Sequence, residues 1–138
     1  MKIVLDDGAF MPTRAHPDDA GLDIKSPKDV YMIHGASYVI DTGIRVQIPK
    51  GYSGQLKSKS GLLINHNISS GEGLIDSGYT GTIKVYLRNN SPTDDYQIKR
   101  GDKITQLVIQ AMITPELEVV DSLEDTERGE NGFGSSGR

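Results

Sequence analysis

The sequence contains no cysteine, which excludes disulfide bonds and thiolate metal sites and is typical of a reducing compartment. Its 15 Lys and Arg residues against 19 Asp and Glu form no basic block, so the electrostatic footprint of a nucleic-acid-binding protein is missing. No apolar run approaches the ~20 residues of a membrane-spanning helix. The opening MKIVLDDGAF carries acids too early for a secretory signal peptide. These absences favour a cytoplasmic protein that binds neither nucleic acid nor membrane.

Helical periodicity is also scarce. With 138 residues the chain suits one domain, and its 16 Gly and 6 Pro, with frequent Val, Ile and Thr, favour short strands and tight turns. Ser60 is the candidate N-cap of one short helix that continues to Ile64. The sequence therefore predicts an all-β sandwich or barrel of roughly ten short strands, with at most one short helix.

Apolar alternation locates the strands. Residues 42–48 place Ile44, Val46 and Ile48 on one face, and residues 82–88 place Ile83, Val85 and Leu87 on one face. Residues 103–113 are apolar on both faces, which is typical of a strand in a sandwich centre or at a subunit interface. Further strands are predicted at 2–5, 29–33, 37–40, 51–58 and 117–120, with 29–33 and 37–40 joined as a pair through His34 and Gly35.

The chain changes character near residue 120. From Glu116 to Glu130 there are seven acids and one Arg, and glycines follow at 129, 132, 134 and 137. Such a stretch builds no core, so we expect a domain at 1–120 and an arm at 121–138 that is flexible when nothing is bound. A solvated tail is the alternative, but Phe133 among the glycines favours an arm with a partner.

Three short segments combine polar groups with glycine. In AGLDI, Asp23 lies among apolar residues at the start of a strand, where a simple strand-edge acid is the competing interpretation. In SKSGL, hydroxyls, the Lys59 ammonium and free amides near a helix start suit an anion. In GLIDSGYTG, a hairpin tip sets Asp76 near Tyr79, with Gly78 available for a positive φ.

Two later segments complete the set. Gln106, in GDKITQLV, is the strongly polar side chain early in an otherwise apolar strand, so its amide needs a network or a ligand. In RGENGFGSSG, Arg128, Ser135, Ser136 and glycine amides suit a polyphosphate, and Phe133 suits stacking on a ring.

In this order the five segments resemble the five motifs of the trimeric dUTPase family, from residue 20 to residue 137. The resemblance implies a jelly-roll-like β-barrel that forms a homotrimer with shared active sites, each closed by the C-terminal arm of a neighbouring subunit. It implies Mg²⁺-assisted hydrolysis of dUTP to dUMP and pyrophosphate by in-line attack of water at the α-phosphate. That activity keeps uracil out of DNA and supplies dUMP for thymidylate synthesis.

The resemblance also implies roles for single residues. Asp76 orients and activates the water, and Asp23 supports the region of the metal, through water, while Mg²⁺ is held by substrate phosphates and waters and not directly by the protein. Lys59 stands where the family usually has Arg, which loses a bidentate contact. Tyr79 packs beneath the sugar and leaves no room for a 2′-hydroxyl, and Phe133 stacks on uracil. The substrate-binding set is Lys59, Ser60, Gly61, Gly73, Leu74, Ile75, Tyr79, Lys84, Gln106, Arg128, Phe133, Gly134, Ser135 and Ser136.

Other functions on the same fold stay open from the sequence. A dCTP deaminase or its bifunctional relative needs a different constellation of acids and amides, and the Asp76–Tyr79 segment argues against it. A non-catalytic β-barrel trimer that senses dUTP, a phage-type dUTPase with a regulatory protein partner, and a structural jelly-roll subunit are the remaining alternatives.

Overall fold

A computed structural model describes residues 1–132, and within that range the fold is all-β with a single short helix, as predicted. The elements are β1 Lys2–Leu5, β2 Gly21–Lys25, β3 Val30–Met32, β4 Ser37–Asp41, β5 Ile44–Gln47, β6 Tyr52–Lys57, α1 Ser60–His66, β7 Ile68–Ser70, β8 Leu74–Ile75, β9 Lys84–Asn89, β10 Tyr96–Ile98 and β11 Lys103–Ala111. Helix α1 is too short to span a membrane, and the described residues contain no other helix.

The strands form a four-stranded sheet, β2-β11-β6-β8, a three-stranded sheet, β4-β9-β7, and the pairs β1-β5 and β10-β3. Strand β11 lies inside the largest sheet and pairs antiparallel with both neighbours, so that Leu107 is opposite Leu22 on one side and Leu56 on the other. Val108 and Ile109 are only partly buried, so burial of both faces of this strand stays a prediction. The same sheet carries most of the polar residues discussed below.

The core is built from the alternating residues that the sequence placed on one face. Ile44, Val46 and Ile48 of the β5 region are buried, as are Ile83, Val85 and Leu87 of the β9 region. Each fully buried side chain of this size stabilises the fold by about 1.5–3 kcal/mol relative to an exposed one. The two sets belong to one buried cluster, so the β5 and β9 regions pack against the same core.

Gly54 of β6 allows the sheet to pack closely. A Cβ there would lie 2.8 Å from Leu107 Cδ1 and 2.9 Å from Ile48 Cδ1, so a larger residue would displace core side chains. Gly54 is also the ladder partner of Ile75 in β8. The glycine therefore holds the edge strand β8 in place against a close-packed interior.

Strands are present near 29–33 and 37–40, but the prediction that they pair with each other is wrong. The chain does turn between them, with Gly35 at φ +70°, but β3 pairs with β10 and β4 pairs with β9. The two strands diverge because later segments offer each of them a ladder, one of five residue pairs for β4. The short strands β7 and β10 have too few residues for a visible alternation and were not predicted.

The predicted strand at 117–120 is also wrong. Among the described residues, the last hydrogen bond from this end of the chain to the sheet runs from Met112 N to Gly51 O at 2.8 Å, and residues 113–132 are exposed without strand structure. Leu117 and Val119 are 95% and 99% exposed. A strand needs a neighbouring edge for its hydrogen bonds, and none of the described strands pairs with this segment.

The predicted helix is present, but Ser60 does not cap it. Lys59 occupies the N-cap position, has extended backbone angles and makes no side-chain capping bond. The helix ends at Asn67, whose left-handed conformation (φ 59°) lets its N–H reach the carbonyls of Leu62 and Leu63. The N-cap assignment was wrong by one residue, so Ser60 and Gly61 form the first helical positions.

Candidate functional site

A pocket of about 220 Å³ contains the largest group of predicted site residues. It lies between β6, β8 and the segment that leads into β9. Its lining is Leu56, Gly73, Leu74, Ile75, Asp76, Tyr79, Thr82, Ile83 and Lys84. The structure thus brings together six of the predicted site residues from a single stretch of the chain. It adds Leu56, Thr82 and Ile83, of which the sequence had placed only Ile83, as a core residue.

Strand β8 fixes the backbone of Asp76. Leu56 N donates to Gly73 O at 2.9 Å, and the ladder pairs Ile75 with Gly54. Because side chains alternate along a strand, burial of Ile75 in the core turns Asp76 outward, where it is exposed. The result is a carboxylate presented to the pocket from an anchored backbone.

The turn after Asp76 differs from the predicted hairpin. Tyr79 N donates to Asp76 O at 3.0 Å, so a tight turn is present. However, β8 pairs with β6 and β9 pairs with β4 and β7, so the turn joins two sheets instead of two paired strands. Gly78 does not take a positive φ. The arm is held by tertiary contacts because each flanking segment finds its ladder elsewhere.

A second group of predicted residues surrounds Asp23, which is 4% exposed. Lys59 Nζ lies 2.6 Å from Asp23 Oδ1, and Lys103 Nζ lies 2.7 Å from Asp23 Oδ2. Burial alone would raise the pKa of Asp23, but the hydrogen bonds from Lys103 and Lys59 and their positive charges outweigh it and lower the pKa. Two ammonium groups and one carboxylate leave this group with a net positive charge, which suits an anion.

Gln106 lies directly opposite Asp23 in the ladder between β11 and β2. Its Nε2 donates to Ser58 O at 3.2 Å, which satisfies part of the amide. A Cβ at Gly21 would collide with Gln106 Oε1 and Cδ, so the glycine of this segment makes room for the amide. Gly61 at the helix start has open space beside its Cα, which leaves its backbone accessible to a ligand.

The donor atoms around Asp23 are already occupied by the lysines. Both oxygens of Asp23 already accept hydrogen bonds from lysines. Among residues 1–132, no three His, Asp or Glu side chains cluster as metal ligands. Within residues 1–132, the two groups therefore present no open set of protein ligands to a metal ion.

The two groups do not share one pocket within a single chain. Asp23, Lys59 and Gln106 do not line the pocket of Asp76. Arg128 lies on the exposed segment, where its Nε donates to Asn131 O at 3.0 Å. Phe133, Gly134, Ser135 and Ser136 fall outside the described residues, so their predicted roles stay predictions.

Lys103 is the functional candidate that the sequence analysis missed. It begins β11 directly after Gly101 and Asp102, and there a lysine resembles an ordinary solvated charge. Its contact with Asp23 depends on the pairing of β11 with β2, which shifts register between Lys103 and Thr105. The one available signal was a cation at the start of an otherwise apolar strand.

We expect Asp23→Asn to lower the free energy of unfolding by about 2 kcal/mol at pH 7, because two ammonium groups lose their buried partner while keeping some solvent. The folded pKa of Asp23 is lowered from 3.8, so its contribution is present above about pH 4 and is lost as the pH falls through the lowered value. Urea unfolding at fixed protein concentration should show the gap between the two proteins narrowing below pH 4. Asp18→Asn on an exposed loop is the control, and an equal gap at all pH values would contradict the assignment.

Comparisons with known proteins agree on one family. The family model described as dUTPase matches residues 7–137. The deoxyuridine 5'-triphosphate nucleotidohydrolase of Rhodococcus erythropolis is 43% identical over 135 residues, which is 96% of this chain and 82% of that protein.

Solved structures give the same result. The dUTPase of Staphylococcus bacteriophage 80alpha with dUPNHPP is 35% identical, with a TM-score of 0.94 over 99% of this chain and 98% of that one. A mutant dUTPase from phage phi11 of S. aureus, described with the coordination of a structural Mg(II) ion, is 33% identical, with a TM-score of 0.83 over 90% of this chain and 98% of that one.

Proposed function

Because this chain belongs to the dUTPase family, we propose that Asp76 directs the hydrolysis of dUTP to dUMP and pyrophosphate in the pocket between β6 and β8. The observation that carries this proposal is the position of Asp76, an exposed carboxylate on an anchored backbone that shares a pocket with Tyr79 and Lys84. The carboxylate and the ring come from the same tight turn, so their spacing is set by the fold before a ligand arrives.

In the proposed reaction, Asp76 accepts a proton from water as the water oxygen forms a bond to the α-phosphorus. The bond from that phosphorus to the bridging oxygen breaks on the opposite side, and pyrophosphate leaves. General-base assistance of this kind contributes typically 10²–10⁴-fold to the rate. Backbone groups of Gly73, Leu74 and Ile75 are suited to the uracil edge, and the Tyr79 ring is suited to the deoxyribose.

The group around Asp23 is suited to the phosphates. One carboxylate oxygen of Asp23 contacts the Lys59 ammonium, and the other oxygen contacts the Lys103 ammonium. Lys59 is therefore oriented before an anion binds. Ser60, Gly61 and Gln106 lie beside it at the helix start and on β11. Mg²⁺ bound to the triphosphate would neutralise charge and improve the leaving group.

We infer a homotrimer with shared sites, as the family resemblance implies, and two features of the single chain support an assembly of this kind. Asp23 and Lys59 do not line the pocket of Asp76 within one chain, which is consistent with a site that another copy completes. Leu117 and Val119 are almost fully exposed, which is unfavourable in water unless another surface covers them. The arm at 121–138 would then close a neighbouring subunit's site through Arg128, Phe133, Gly134, Ser135 and Ser136. We also propose that the enzyme acts in the cytoplasm.

The proposed function is tested by release of pyrophosphate from dUTP, dTTP, dCTP and UTP, each with and without Mg²⁺. We expect rapid Mg²⁺-dependent release from dUTP and much slower release from the other three nucleotides. Release of ammonia from dCTP would instead identify a deaminase, and binding of dUTP without release of pyrophosphate would identify a non-catalytic sensor. Either outcome would overturn the proposal.

A further inference from the structure

The ring of Tyr79 lies against the backbone of Gly81. A Cβ at position 81 would stand 2.5 Å from Tyr79 Oη, 2.7 Å from Cζ and 3.0 Å from Cε2. These are the three nearest atoms to that Cβ, and all of them belong to the one ring. Contacts this short do not occur for real side chains, so any other residue at 81 displaces the ring.

Gly81 is not required by its own backbone. Its φ lies outside the left-handed region, which is where glycine has its conformational advantage. A residue with a side chain would therefore adopt this conformation without strain. The absence of a side chain at residue 81 instead leaves the space that the Tyr79 ring occupies.

A hydrogen bond to Thr82 also holds the Tyr79 ring, and Thr82 is itself held by a second hydrogen bond. Tyr79 Oη donates to Thr82 O at 2.9 Å, and Thr82 Oγ1 donates to Asp41 Oδ2 at 2.9 Å. Asp41 Oδ1 in turn accepts from Gly43 N at 3.0 Å. The carbonyl that holds the phenol is thus fixed by the turn after β4, so the ring is clamped between Gly81 and Thr82.

We propose that Gly81 is a specificity-determining residue, which acts by seating the Tyr79 ring low against residues 81–82 where it meets the sugar at its 2′ position. The inference rests on the proposed function, since it needs a uracil nucleotide in this pocket. Tyr79 provides one wall of the pocket, and Thr82 provides the adjacent wall. A ring moved from this seat no longer packs on deoxyribose and no longer excludes a 2′-hydroxyl.

The test compares Gly81→Ala with Gly78→Ala. Gly78 lies in the same turn, has no positive φ, and a Cβ there would meet no atom within 4 Å. The readout is the ratio of kcat/KM for dUTP to kcat/KM for UTP, measured by pyrophosphate release. We expect Gly81→Ala to lower this ratio by about tenfold or more, chiefly by reducing kcat/KM for dUTP, and Gly78→Ala to leave it within about twofold.

A ratio that is unchanged in Gly81→Ala, or equal losses for dUTP and UTP, would overturn the inference, because a general disturbance of the pocket affects both nucleotides alike. The same substitution in a Tyr79→Ala background should change the ratio no further, and an additional loss there would also count against it. If Gly81→Ala does not fold, Thr82→Val replaces it: loss of the bond to Asp41 should lower the ratio about threefold. Failure of the unmodified protein to cleave dUTP would instead refute the proposed function.

Discussion

Asp76→Asn is expected to lower kcat for dUTP by about 10³-fold while the affinity for dUpNHpp changes less than about threefold. The asparagine side chain has nearly the same shape as aspartate but cannot accept the proton of the attacking water. The backbone at this position is held by the ladder of β8 and by the turn to Tyr79, so the amide keeps the place of the carboxylate. Binding contacts survive, and the chemical step is lost.

Single-turnover pyrophosphate release and calorimetric titration with dUpNHpp separate the two effects. Asp18→Asn is the matched control, since Asp18 is exposed and does not line the pocket. If Asp76→Asn retained its turnover, Asp76 would have no role as a base. A parallel loss of kcat and of affinity would show that the side chain serves binding instead.

Removal of residues 128–138 is expected to lower kcat/KM for dUTP at least about 10²-fold and to leave the fold intact. The described part of this segment, residues 128–132, makes no strand or helix and is exposed, so the loss of those residues removes no core contact. It removes Arg128 and, by the family resemblance, the groups that hold the γ-phosphate and cover uracil. Circular dichroism and the melting temperature should match those of the full chain, and full activity of the shortened chain would contradict the role of the arm.

Mixing two inactive proteins tests whether the arm acts on a neighbour. The Asp76→Asn chain keeps its arm, and the shortened chain keeps Asp76, so each fails for a different reason. Refolded together, mixed assemblies would unite an intact arm with an intact Asp76, and we expect activity well above that of either protein alone. The control is a mixture of Asp76→Asn with full-length Tyr79→Ala. Both of these chains keep their arms and both are altered in the same pocket, so no mixed assembly gains an intact pocket. No recovery in the first mixture would mean that each arm closes its own site.

The sequence was sufficient to predict the strands with clear apolar alternation and the segments that carry the five motifs. Ile83, Val85 and Leu87 were assigned to the core because period-2 patterning depends only on local chain geometry. Asp76 and Tyr79 were brought to one pocket for a similar reason, since a tight turn joins them. Information that is local along the chain was therefore sufficient for the core faces and for the centre of the pocket.

The contacts between distant segments were not available from the pattern. The salt bridge of Lys103 with Asp23 joins residues from different strands of one sheet, and no spacing in the sequence reports which strands pair. The same limitation produced the wrong pairing of 29–33 with 37–40. The Tyr79–Gly81 contact lies between near neighbours, yet it depends on which way the ring turns, and the sequence does not determine that.

The exposed apolar residues after β11 have a consequence for handling the protein. Leu117, Val119 and Leu123 are almost fully exposed on a single chain, so a subunit released from the proposed homotrimer would expose these apolar side chains to water. Heat inactivation should therefore begin with separation of subunits, depend on protein concentration, and end in precipitate that does not redissolve on cooling. Replacing Leu117 and Val119 by serine would keep separated chains in solution but weaken their reassociation.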